Sequence, residues 1–214
     1  MMRNTAQPVE IRVAEEGDLE ACLQIDDGYN ATHTWQVEPT RGEPGAAPYT
    51  ISSSVTLGDS PLSVTFRPVR LPRARRVAGP VATLVRDGNE AGLQQRLRQW
   101  RTADLAQVAI LDGRVCGYNV VSVVRGSGIG WISALVVDGA VRGRGIGSML
   151  LAAARRWARY NQGVNVRSFM LELHTRNHPA VTFCKKQGFN FCGYTDYSFS
   201  GGDTVLLFAS PVVI

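Results

Sequence analysis

The sequence predicts an α/β fold with a mixed, mostly antiparallel central sheet flanked by helices, and three stretches predict it. Residues 105–138 hold strand-like runs separated by turn residues, as a meander of paired strands does. Residues 131–148, WISALVVDGAVRGRGIGS, read as strand, glycine-rich turn and helix start. Arg167–His174 (RSFMLELH) then supplies another strand beyond that helix. A meander followed by a strand-helix-strand crossing gives a sheet of both senses, whereas a doubly wound nucleotide fold would reach its glycine turn from a βα unit.

The elements follow in order. Residues 9–13 alternate like a strand, and Asp18 reads as the N-cap of a helix carrying Leu19, Cys22 and Leu23 on one face and running out near Asp26-Asp27-Gly28. Residues 33–38 read as a short strand and 41–48, with two Pro and two Gly, as a loop. Tyr49–Leu57 and Leu62–Leu71 read as a hairpin across Gly58-Asp59-Ser60-Pro61, and 72–80 (PRARRVAGP) as a mobile basic connector. Residues 89–100 place Leu93, Leu97 and Trp100 on one side of a helix. Asp112-Gly113 between two strands is a type I′ hairpin signal, and Gly126-Ser127-Gly128 makes the next turn. Behind the glycine turn, Ile146, Met149, Leu150, Ala153, Ala154 and Trp157 recur at helical spacing. Pro179 suits a first helical position and Gly188 the C′ position, and 189–194 and 204–209 close the chain as strands.

Composition narrows the class. With 44% apolar and 19% charged residues, the chain has the make-up of a soluble globular protein, and 214 residues suffice for one domain with a real core. No apolar run approaches the length of a membrane span, and MMRNTAQPVE lacks the apolar stretch of a signal peptide. The four cysteines form no C-x-x-C pair, so reduced thiols and a cytoplasmic location are expected. The net charge of +5 gathers in arginine clusters at 67–76, 96–101 and 155–159. No helix-turn-helix, zinc-finger or RNP pattern accompanies them, so the expectation is a polyanionic cofactor rather than nucleic acid.

The glycine turn selects its ligand by spacing. Glycines let an anion approach the backbone, and the unpaired N–H groups and dipole of a helix start favour a phosphate. No Lys follows as a P-loop requires, and a dinucleotide fingerprint counted from Gly143 would need glycine where Ser148 stands. What remains is R-x-x-G-x-G, Arg142 to Gly147. This resembles the pyrophosphate loop of the GNAT superfamily of N-acetyltransferases, and Leu171–Phe189 (LELHTRNHPAVTFCKKQGF) resembles the second half of that family's core. Asp26–Val37 and Phe191–Tyr197 are similar, more narrowly, to streptothricin-type antibiotic acetyltransferases.

The resemblance implies one N-acetyltransferase domain over 1–214, in which 1–104 is a substrate-side portion with an extra hairpin and 105–214 an acetyl-CoA-binding core. Arg142, Gly143, Arg144, Gly145, Ile146, Gly147 and Ser148 would hold the coenzyme A pyrophosphate and Asn177 the pantetheine arm. The backbone of Leu135, Val136 and Val137 would meet the thioester, a backbone N–H serving its oxyanion. Glu172 stands at the acidic position, as general base or as a mid-strand salt-bridge partner. At the position of the family's tyrosine acid stands Cys184, which leaves three readings open: a weak acid, an acetyl carrier, or a small apolar residue beside the coenzyme sulfur. Tyr194 and Tyr197 are candidate substitute acids. His174 and His178 are spaced i, i+4 but straddle a strand end and lack a third ligand, so no metal is expected.

The implied activity is acetyl transfer to a primary amine, either a small cationic amine or antibiotic or a peptide N-terminus, by direct attack in a ternary complex. The alternative is a non-catalytic acyl-CoA sensor. No membrane or nucleic-acid partner is expected, and a homodimer is compatible with the family.

Overall fold

The computed structural model describes residues 8–41, 55–57, 60–80, 83, 87–161, 163–195 and 204–212, and only the backbone of 37–41, 55–57 and 60–65. In chain order the elements are β1 (Glu10–Val13), α1 (Asp18–Leu23), β2 (Tyr29–Arg41), β3 (Val55–Leu57), β4 (Ser60–Val77) and α2 (Glu90–Arg101). Then come β5 (Leu105–Leu111), β6 (Arg114–Val124), β7 (Ile129–Val137), a single 3₁₀ turn (Gly139–Val141) and α3 (Ile146–Tyr160). The last elements are β8 (Ser168–His174), α4 (His178–Lys186), β9 (Asn190–Thr195) and β10 (Val205–Pro211). Two compact units share the chain: Met1–Tyr29, Ala78–Phe169 and Pro211–Ile214 form the first, Asn30–Val77 and Met170–Ser210 the second.

In the first unit the strand order is β1-β5-β6-β7, each pair antiparallel. The β5–β6 turn is the expected type I′, with Asp112 at φ 52° and Gly113 at φ 75°. Both central residues need positive φ, which Asp tolerates and Gly adopts freely. Two bulges interrupt the ladders, between Ala109 and Ile110 and between Val120 and Val121. The second leaves Ser133 as the extra residue on β7, bending that strand just before Leu135–Val137.

Helix α3 lays Ile146, Leu150, Leu151, Ala153, Ala154 and Ala158 inward. Ile146 and Leu150, at 1% and 0% exposure, pack against Ala109 and Cys116, each burial contributing about 2–3 kcal/mol. Met149, expected on this face, is exposed because it sits on the stripe's margin. Two glycines permit close approach inside this unit: a Cβ on Gly117 would lie 2.8 Å from the Val136 carbonyl oxygen, and one on Gly130 would lie 2.7 Å from the Phe169 ring.

Asp18 corrects the helix-start expectation. The N-cap of α1 is Gly17, which has no side chain to cap with, while Asp18 is the first helical residue. The Asp18 carboxylate instead accepts the Glu15 N–H (2.7 Å) and both Arg12 terminal nitrogens (2.6 and 2.8 Å). Helix α2 forms where expected, and Asn89 caps it by accepting the Gly92 N–H at 2.9 Å.

The second unit holds a β2-β4-β3 sheet and the strands β8-β10-β9. The hairpin is real, with Val55↔Leu62 and Leu57↔Ser60 antiparallel. The 72–80 connector is corrected through Val77, because β4 continues to that residue alongside the thirteen-residue β2. Pro68 and Pro72 hide this in the sequence, because proline lacks the N–H that a ladder uses and so argues against a strand. The short strand at 33–38 is likewise part of the longer β2. The expected loop at 41–48 lies, beyond Arg41, outside the described residues, as does Tyr49–Ser54.

This unit's core is a chain of rings. Trp35 stacks on Phe66 at 4.3 Å, Phe66 stacks on Phe191 at 4.8 Å, and Phe208 meets both phenylalanines edge-on. Lys185 lies over Trp35 at 5.2 Å, and the His33 and His178 rings meet tilted at 4.3 Å.

Candidate active site

The glycine turn is built as an anion cradle. After β7, Asp138 accepts the Ala140 N–H (2.8 Å) and starts the 3₁₀ turn, which delivers the chain to Arg142. Gly143 and Gly145 both stand at φ 82°, and nothing lies within 4 Å of where their Cβ atoms would be. At these two positions the turn presents backbone without a side chain. Gly145 is the N-cap of α3 and has no side chain to offer the helix. The intrahelical ladder opens at Met149 N–H to Gly145 C=O (3.0 Å), so the N–H groups of Ile146, Gly147 and Ser148 precede its first bond. No acidic residue occupies the first turn, and Arg144 is exposed beside it. A diphosphate fits this arrangement, since the donors and the helix dipole point one way.

Arg142 is directed differently from the motif's expectation. Its Nε donates to the Val137 carbonyl (2.8 Å), Nη1 to that of Gly28 (2.7 Å) and Nη2 to that of Asp26 (2.9 Å). Three of the five guanidinium donors are thus bound to protein backbone. A motif identifies the residue and leaves the direction of its side chain open.

Leu135, Val136 and Val137 end β7, paired with Asn119, Tyr118 and Gly117 of β6. Immediately before them a pocket opens over β6 and β7 beneath α1 and α2. Cys22, Leu97, Trp100, Tyr118, Ser133 and Ala134 are among its walls. Sequence reasoning did not single out this pocket. Its signal was present in the α2 face of Leu97 and Trp100 and in the alternation placing Tyr118 and Val120 on one face of β6. Tyr118 is buried and stacks edge-on with Trp100 at 5.9 Å. Burial first, and the Asp27 charge second, push its phenol above the ordinary tyrosine range, so it stays protonated.

The second unit carries the other predicted residues. Glu172 is exposed on β8, on the face opposite buried Leu171. Asn177 is the N-cap of α4, its Oδ1 accepting the Ala180 N–H at 3.2 Å, which leaves its amide NH₂ as a further donor. His178 and Pro179 follow as the first helical residues, and Gly188 at φ 80° takes the C′ place. Cys184 is 2% exposed, and burial pushes its thiol up to about 12. His174 Nδ1 accepts the Arg176 N–H at 3.0 Å. His178 is shifted below the ordinary imidazole value by burial and then by His33. Among the described residues no three of His, Cys, Asp and Glu gather as a metal site. Tyr194 is exposed on β9, while Tyr197 lies outside the described residues. All four cysteines are free, and no helix among the described residues is long and apolar enough to cross a membrane.

A strand ending in an uncapped, glycine-lined helix start, set behind an antiparallel meander, defines a coenzyme-A-type acyltransferase core. The chain belongs to the acetyltransferase (GNAT) family, whose pattern matches residues 82–189, half of its length. It is accordingly an acetyltransferase, and acetyl-CoA is the family's acetyl donor. No curated protein sequence matches it. Among solved structures it is similar to a nourseothricin acetyltransferase, at 21% identity and TM-score 0.70 over 97% of this chain and 100% of that one. A protein from Bacillus anthracis str. Ames described as a streptothricin acetyltransferase, in complex with acetyl coenzyme A, gives 20% and 0.69 over 96% and 99%. The ribosomal-protein-S18-alanine N-acetyltransferase of Escherichia coli gives 14% and 0.58 over 97% and 96%. At these identities the likeness is one of fold.

Proposed function

We propose that the protein transfers an acetyl group from acetyl-CoA to the primary amine of a small cationic acceptor of the streptothricin type, by direct attack in a ternary complex. The observation that carries the reading is the start of α3, where Gly145 offers the helix no side-chain cap and, with Gly143, leaves open space on the turn. Acetyl-CoA supplies an activated thioester carbonyl and a thiol leaving group. The backbone of Gly143–Ser148 holds the diphosphate, and the Asn177 amide NH₂ donates to the pantetheine arm. The Leu135–Val137 backbone, past the Ser133 bulge, presents an N–H to the carbonyl oxygen. Glu172 removes the ammonium proton, directly or through water, its exposure being compatible with either.

The pocket under α1 and α2 takes a small end of the acceptor. Its wall includes Ser133 and Ala134, the residues just before the proposed oxyanion donors, so an amine leaving the pocket meets that segment. Its lining is largely apolar, with Arg96 the charged group among those residues. The choice of acceptor class draws on the two antibiotic acetyltransferases of like fold and on the resemblance of Asp26–Val37.

One observation favours a second reading, a non-catalytic acyl-CoA sensor: the family's tyrosine position holds Cys184, deep in the core. A single pair of measurements separates the readings. Acetyl-CoA and CoA should raise the melting temperature of the wild type, NADH should leave it unchanged, and Gly145→Glu should abolish the rise. Thiol release from acetyl-CoA should then appear with at least one amine of a panel holding streptothricin, aminoglycosides, polyamines and peptides. Binding without release across the panel favours the sensor. No shift with either CoA compound refutes both.

A further inference from the structure

We infer that Arg142 is a positioning residue that couples the coenzyme loop to the wall of the acceptor pocket. The inference rests on the acetyltransferase reading above. It starts from what Arg142 touches, which is the backbone of a distant segment and of β7. The guanidinium clamps Asp26 C=O and Gly28 C=O with its two terminal nitrogens while Nε holds Val137 C=O, the last carbonyl of β7. One planar fork thus joins three points: the coenzyme loop that carries it, the strand end beside the thioester, and the segment leaving α1.

That segment is the continuation of the pocket wall. Leu19, Cys22 and Leu23 of α1 line the pocket, and Ile25, 5% exposed, packs in one cluster with Cys22, Tyr118 and Val120. Helix α1 has six residues, no side-chain cap and no basic residue in its last turn, so on its own it would be marginal. Within the segment the Gly28 N–H donates to Asp26 Oδ1 at 3.1 Å and fixes its turn. Packing adds a further constraint at Gly79, where any Cβ would fall 2.1 Å from the Asp27 carboxyl carbon.

The other end of the linkage is the loop. Arg142 precedes Gly143, whose surroundings are open and whose φ is positive. A diphosphate on the N–H groups of 143–148 would immobilise that backbone and with it the base of the Arg142 fork. Holding the fork holds Asp26–Gly28. Because binding free energies are reciprocal, an acceptor that orders α1 would tighten the coenzyme by the same factor.

The test uses the full chain with CoA as the probe and reads backbone hydrogen exchange in peptides spanning 24–30, with CoA affinity from calorimetry. In the wild type, CoA should slow exchange of 24–30 by about tenfold, within the usual range of site-to-site coupling. Arg142→Gln should still bind CoA within about fivefold, since the backbone N–H groups face the phosphates, yet lose the slowing at 24–30. Arg142→Lys, one point charge in place of a fork, should recover part of it and serves if the glutamine variant misfolds. Equal slowing in wild type and both variants would overturn the coupling. A loss of CoA affinity beyond about thirtyfold in a folded Arg142→Gln would overturn it too, making the guanidinium a phosphate ligand. Failure of the wild type to bind CoA would instead remove the acetyltransferase reading on which the coupling stands.

Discussion

Replacing Cys184 by alanine should leave turnover within about threefold, because the thiol's environment disarms it for the roles a catalytic cysteine could take. Burial holds it at about 12. An ordinary thiol such as that of coenzyme A lies at about 8.5, so proton donation from Cys184 to the departing thiolate would run uphill by roughly 3.5 units, or about 5 kcal/mol. As a nucleophile it fares no better, since at pH 7 only roughly one molecule in 10⁵ would carry the thiolate. Leaving-group protonation then falls to water, which a thiolate tolerates. Rate comes chiefly from holding both reactants, an effect worth about 7–11 kcal/mol when orientation is right. Losing the buried sulfur should cost stability of about 1 kcal/mol, comparable to deleting one core methyl group. The assay is thiol release with an amine identified from the panel, alongside intact mass of enzyme mixed with acetyl-CoA alone. A hundredfold fall in kcat at an unchanged fold, or an acetyl adduct on the wild type that the alanine variant lacks, would refute this argument.

Other perturbations have equally definite outcomes. Gly145→Ala meets no atom, so its cost is the left-handed backbone alone, about 1–2 kcal/mol, with weaker CoA binding by calorimetry. Gly117→Ala meets the Val136 carbonyl at 2.8 Å and should lower the urea midpoint by the equivalent of about 1–3 kcal/mol through strain in β7. Arg12, chiefly by its hydrogen bonds, holds the Asp18 carboxyl below its usual value, so the pair's contribution is complete above the unfolded pKa and is lost as pH falls through the folded one. Asp18→Asn should cost about 1–3 kcal/mol at pH 7 by urea titration, and its deficit relative to wild type should shrink below about pH 4. Iodoacetamide under native conditions should modify exposed Cys192 and spare Cys22, Cys116 and Cys184, read by peptide mass mapping.

Much of the core was legible because local chemistry dictates it. Asp112-Gly113 permits few turns besides type I′, and the spacing of Ile146, Leu150, Ala153 and Ala154 fixes which side of α3 is buried. The glycines at 143 and 145 marked the turn, and both adopt positive φ there. The features missed depend on partners far along the chain. Asp18 looked like a cap because its residue type favours that place, yet a bidentate arginine six residues earlier claimed its carboxylate. Residues 72–77 looked like a connector because Pro and Arg are poor strand formers, and they are strand because a long β2 offers a ladder. Arg142 is the sharpest case. Its place in R-x-x-G-x-G points to phosphate, while its fork grips carbonyls 114 and 116 residues earlier in the chain. A motif specifies which backbone groups lie bare, since that follows from missing side chains. Where a long, flexible, five-donor side chain goes is decided by the carbonyls the fold brings within reach. The loop's glycines are therefore the part of the site to read directly from sequence, and its arginine the part to read from structure.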